Sequence, residues 1–187
     1  MSTTQPIKNE IKLEKFKEYF LMKKPNYRNY AMIVLGLNTA FRIGDLLSLR
    51  WMDVYNKKEK HFKEHICVKE HKTGKERIVA MNDNVCTVLN MLYIQSDNIT
   101  DMNYLFPSRR NPDIPLSRSQ AFRLIREAAE YAGIEERISC HSLRKTFGYY
   151  AWKQGAQPAV LMDIFNHSSY TVTKQYLCIE QEDKDMI

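Results

Sequence analysis

The 187-residue chain carries 28 Lys and Arg against 22 Asp and Glu, a formal charge of +6, with 44% hydrophobic and 27% charged residues. This is ordinary globular composition with material for one substantial core, and its basic balance favours an anionic partner, nucleic acid first. No apolar run reaches membrane-spanning length and residues 1–10 are too polar for a signal peptide, so a cytoplasmic protein without membrane contact is expected.

In chain order, residues 1–9 read as a flexible lead-in. Leu13, Phe16 and Phe20 recur at helical spacing and predict an amphipathic helix ended by Pro25. Residues 27–37 predict a more thoroughly apolar helix, and 42–49 a short one after a turn. Trp51 to Val54 lead into β structure. Phe62, Ile66 and Val68 alternate with polar residues over a strand at 61–69, and Glu76 to Met81 return as its partner after a turn at Lys72-Thr73-Gly74-Lys75. Asn82 or Asp83 caps the next helix. Tyr104 to Pro107 form a short apolar stop, and Arg109-Arg110-Asn111-Pro112 a basic loop.

Ser117-x-x-Gln120 is a capping-box signature opening a helix closed by Gly133. A helix bearing His141 and Arg144 ends at Gly155, Pro158 sits at the first position of another, and residues 171–177 form a last one. The expected fold is mainly α with a small antiparallel β-sheet, in one domain over 1–187 with a tail at 180–187. Cys67, Cys86, Cys140 and Cys178 are scattered without a C-x-x-C pair, so neither a zinc site nor a disulfide framework is suggested.

His141 and Arg144, three apart, share one helix face and make a donor-rich site for an oxyanion. Arg42 by itself is an arginine at a helix start, with Asp45 three residues on as a partner for its fork. Lys72 and Lys75 are equal candidates in the hairpin turn. His141 taken singly is a cap or a core imidazole, His167 a loop residue, and Tyr176 one of 11 tyrosines. A tyrosine hydroxyl beside a bound phosphate is, however, a nucleophile whose conjugate base leaves well.

Taken in order, Arg42, Lys72, His141-x-x-Arg144, His167 and Tyr176 resemble the tyrosine recombinases of the phage integrase family. Ala40-Phe41-Arg42-Ile43-Gly44-Asp45, Lys72-Thr73-Gly74-Lys75-Glu76-Arg77, His141-Ser142-Leu143-Arg144-Lys145 and Asn166-His167-Ser168-Ser169 are similar to its boxes. The departures are Ala40-Phe41 for a frequent Gly-Leu, Asp45 for Glu, Lys145 for histidine and Asn166 for glycine. A larger departure is that typical members carry an N-terminal helical domain, whereas this chain starts almost at the catalytic domain.

The resemblance implies the integrase catalytic-domain fold and a division of labour. Tyr176 attacks the scissile phosphorus, Arg42 and Arg144 bind the non-bridging oxygens, His141 accepts the tyrosine proton, His167 hydrogen-bonds the phosphate and Lys72 protonates the leaving oxygen. Cations take the place of a metal, so no metal, ATP or other cofactor is expected. The implied partner is double-stranded DNA, with a homotetramer on two sites and a separate DNA-clamping domain or accessory protein. The alternatives are a non-catalytic DNA-binding regulator and a type IB topoisomerase-like strand transferase.

Overall fold

Helix α2 (Tyr27–Thr39) is the axis of the fold, since Ala31, Met32, Ile33, Val34 and Leu35 are all buried along it. Such a run has no polar face to give to solvent, so it must be wrapped. The computed structural model describes residues 4–72, 74–181 and 183. Helix α1 (Glu10–Met22) covers one side of α2 through Phe16 and Phe20, with Asn9 capping its first turn. After α2 come α3 (Ile43–Leu47) and α4 (Trp51–Val54), then β1 (Tyr55–Asn56), β2 (His61–Phe62), β3 (His65–Lys69) and β4 (Glu76–Ala80). Next are α5 (Asp83–Ile94), α6 (Arg118–Tyr131), α7 (Cys140–Lys153), α8 (Pro158–Phe165) and α9 (Tyr170–Leu177). Helices α5 and α7 close further sides of α2.

The mainly helical expectation holds, and the local signals hold with it. Ser117 and Gln120 form the reciprocal capping box of α6, Asn82 caps α5, and Pro158 opens α8. The β region differs. The strand expected over 61–69 is divided, because β2 pairs with β1 and β3 pairs with β4, giving two antiparallel two-stranded sheets among the described residues. Alternation of side chains continues across the break, but the backbone changes partner there: Lys63 N donates to Val54 O, and Met81 N to Glu64 O. Trp51 to Val54, expected to lead into a strand, instead form α4, whose first turn is closed by Asp53 accepting from Arg50 N.

The flexible lead-in is corrected for residues 4–9. Ile7 is buried, its N–H donates to Thr146 Oγ1 at 2.8 Å, and Gln5 N donates to Arg137 O at 3.0 Å. The segment is a belt across α7, held also by Lys145 Nζ donating to Thr4 O and Tyr150 Oη donating to Lys8 O. Met1 to Thr3 lie outside the described residues. At the other end Asp183 is buried and accepts from Lys8 Nζ at 2.7 Å and Tyr149 Oη at 3.0 Å. The described part of the tail thus folds onto its own domain; Glu182 and residues 184–187 lie outside the described residues.

A second apolar cluster, Ala40, Leu161, Phe165 and Leu177, joins α7, α8 and α9. Gly148 permits it: a Cβ there would come within 2.5 Å of both Leu177 Cδ2 and Phe165 Cζ.

Candidate active site

Ala40 ends α2 in the left-handed conformation, with φ of 52°. That turn aims its carbonyl at α7, where Arg144 Nη1 donates to it, while Arg144 Nη2 donates to Ile164 O at 3.1 Å. A buried guanidinium is thereby fixed by two backbone carbonyls from elements far apart in sequence. Its face also lies 4.7 Å from the Phe165 ring. Burial pulls the Arg144 pKa down to about 10, so the group stays charged at neutral pH.

Arg42 stands at the N-cap of α3 with extended backbone, and its Nη1 lies 2.5 Å from Glu70 Oε2, just past β3. The expected Arg42–Asp45 pair is not formed. Asp45 Oδ1 accepts from His71 N at 3.0 Å instead, pinning α3 to the hairpin. The extended backbone at Arg42 takes its side chain out of the helical direction that i,i+3 pairing needs, and Glu70 lies in its path. Glu70 is buried and also approaches Arg77 Nη1 at 3.6 Å. Arg77 in turn donates to Ile164 O at 2.8 Å, the carbonyl that Arg144 uses.

The hairpin resolves the two lysine candidates. Lys75 Nζ donates to Asn166 Oδ1 at 2.7 Å and so ties the hairpin to the end of α8. Lys72 faces a pocket of about 290 Å³ lined by Arg42, Lys72, His141, Arg144, Phe165, Asn166, His167 and Tyr176. The six side chains singled out in the sequence therefore meet around one opening. Thr73, between the lysines, lies outside the described residues. A larger groove behind the hairpin, lined by Glu70, Arg77 and Asp163, gathers none of the six.

His141 lies in the first turn of α7 and His167 just past α8. Partial burial, followed by the charges of Arg144, Lys145, Arg42 and Lys72, holds His141 below the ordinary imidazole value. Burial and then Arg144 and Arg42 do the same for His167. Both rings are neutral at pH 7. His167 Nδ1 lies 3.1 Å from Thr173 Oγ1, which is also 3.3 Å from Ser169 O. The tautomer of the ring decides which of the two donates in this contact.

Tyr176 rides on α9, its ring 5.2 Å from Phe165 and 5.0 Å from His167. Burial raises its pKa, Arg144 and Arg42 oppose this, and the net shift is upward. The phenol is protonated at rest, so any attack by its oxygen needs a proton acceptor.

Sequence reasoning gave no role to Glu70, Arg77 or Lys145, the last buried against Tyr176. An arginine and a glutamate flanking the hairpin turn were the only available signal for the first two.

The chain is similar to known proteins in sequence and in fold. The model of the phage integrase family matches residues 11–182. A probable integrase/recombinase, YoeC of Bacillus subtilis (strain 168), is 37% identical over 182 residues, covering 97% of this chain and 93% of that protein. A tyrosine recombinase of Pseudothermotoga lettingae is 30% identical over 165 residues, covering 88% of this chain and 54% of its relative's length. The crystal structure of XerA recombinase superposes with a TM-score of 0.77 at 26% identity, covering 100% of this chain and 63% of that one. The described helices include none long and apolar enough to cross a membrane.

Proposed function

The chain belongs to the phage integrase family, and on that premise we propose that it breaks and rejoins DNA strands as a site-specific recombinase. The observation that carries this reading is the pocket itself: two arginines, a lysine, two histidines and a tyrosine face one opening. The partner is double-stranded DNA, on which copies of the chain assemble. A separate clamping domain or accessory protein grips the opposite face of the duplex.

The geometry supports a division of roles. Arg144 spends two donors on carbonyls and presents its others to the pocket, so its position is set before the phosphate arrives. Arg42 takes the second non-bridging oxygen, with Glu70 holding its fork. Tyr176 Oη attacks phosphorus and its proton passes to the neutral His141. The bond from phosphorus to the 5′-oxygen breaks, and Lys72 gives that oxygen a proton. The products are a 3′-phosphotyrosyl link and a 5′-hydroxyl, and a 5′-hydroxyl from another strand reverses the step. His167 donates to the phosphate from Nε2, in the tautomer whose Nδ1 accepts from Thr173.

The direct test is a nicked suicide duplex in buffer containing EDTA. A covalent adduct that maps to Tyr176 is expected; an adduct formed only with a divalent ion would overturn the assignment of charge stabilisation to Arg42, Lys72 and Arg144.

The pH dependence follows from the same site. Proton acceptance needs neutral His141, whose pKa is lowered, so protonation switches the site off only below the ordinary imidazole range. The rate of adduct formation is expected to be flat through pH 7 and to fall on the acid side with a midpoint below about 6.5. A midpoint above 7 would remove His141 from this role.

A further inference from the structure

Lys145 has no part in the chemistry above, and its surroundings are unusual for a lysine. It is 1% exposed, with no carboxylate within ion-pair distance among the described residues. Its Nζ donates to Thr4 O at 2.6 Å and to Cys178 Sγ at 3.5 Å, and lies 5.1 Å from the centre of the Tyr176 ring. An ammonium buried with no carboxylate beside it among the described residues is costly, and an apolar side chain of similar length would fill the same space without that cost. The charge therefore has to be explained by what it touches.

It touches three things that must stay in register. One is the ring of Tyr176, where a cation over the face is attracted to the π electrons. The second is Cys178, the left-handed C-cap of α9, two residues beyond that ring. The third is the belt over residues 4–9, which is itself stitched to α7 at the neighbouring residue, Thr146. Arg144 and Lys145 are consecutive on α7, about 100° apart around the helix, so one faces the pocket while the other grips the segment that carries the tyrosine.

We infer that Lys145 is a positioning residue for Tyr176, holding the ring and the end of α9 against α7 and tying both to the belt at Thr4. The inference rests on the reading of Tyr176 as nucleophile. Phe165 and His167 also contact the ring, tilted by 46° and edge-on at 72°, but neither ties it to the belt. The three-way grip of Lys145 fixes the distance from Tyr176 Oη to the phosphate site.

Lys145→Met keeps an unbranched stem and loses both the donors and the charge. We expect unchanged duplex affinity and circular dichroism, with adduct formation on suicide DNA slower by roughly 10- to 100-fold, the range that a misplaced reacting group produces. Lys145→Arg, which restores donors and charge, should return the rate toward that of the native chain. The split between affinity and rate, with rescue by arginine, separates positioning from a core role. Equal rates for the methionine variant and the native chain would overturn the inference. So would a parallel loss of affinity and rate, failure of arginine to rescue, or loss of fold in both variants. No adduct with the native chain would instead overturn the assignment of Tyr176 itself.

Discussion

Tyr176→Phe is expected to bind duplex DNA as the native chain does and to form no covalent adduct at any time point. The substitution deletes one oxygen. The ring contacts at 5.2 Å to Phe165, 5.0 Å to His167 and 5.1 Å to Lys145 do not involve that atom. Fold stability should therefore change by no more than about 1 kcal/mol, the usual scale of one partly buried hydroxyl. No nearby group substitutes for the lost nucleophile, because Tyr170, at the opposite end of α9, does not line the pocket. The measurement is a denaturing gel of the suicide-substrate reaction beside a binding titration. An adduct at the native level would take the nucleophile's role away from Tyr176.

The second large effect is expected at Arg144. Arg144→Lys keeps a positive charge but replaces a planar fork by one ammonium, which cannot serve Ala40 O, Ile164 O and a phosphate at once. One buried carbonyl left without a donor costs about 1–3 kcal/mol of stability. A preorganised donor withdrawn from the developing charge lowers the cleavage rate by roughly 10²- to 10³-fold. The variant should therefore melt earlier and cut far more slowly, while DNA affinity falls much less because Arg42 and Lys72 remain. A lysine variant that cleaved like the native chain would show that bidentate geometry at this position is dispensable.

What the chain discloses by itself is uneven, and the reason is range. Caps and turns are local, so Ser117 with Gln120, Asn82 and Pro158 could be placed from neighbours a few residues away. The six pocket residues were legible because their order and chemistry resemble one family, and the structure brings them to one opening. The partner of Arg42 was not legible. Asp45 is near in sequence, but Glu70 is near in space, and only the hairpin's register decides between them. Lys72 and Lys75 became distinguishable for a similar reason, once Asn166 had taken one of them. The belt at residues 4–9 looked polar and short, and its single buried isoleucine gave no periodic signal. Nor does a lysine following an arginine on a helix announce that it will be enclosed.

Vectorial synthesis gives the position of α9 a further meaning. A chain is made from its N-terminus at about 5–20 residues per second. Arg42, the hairpin with Lys72, and Arg144 on α7 all leave the ribosome before α9 does. A nascent chain therefore exposes cationic side chains, which attract nucleic acid, before the tyrosine has emerged. Leu177, fully buried in the second apolar cluster, seals α9 against α7 and α8 only afterwards. With Tyr176 as nucleophile, the power to cut is acquired last, after most of the scaffold that restrains it has been made.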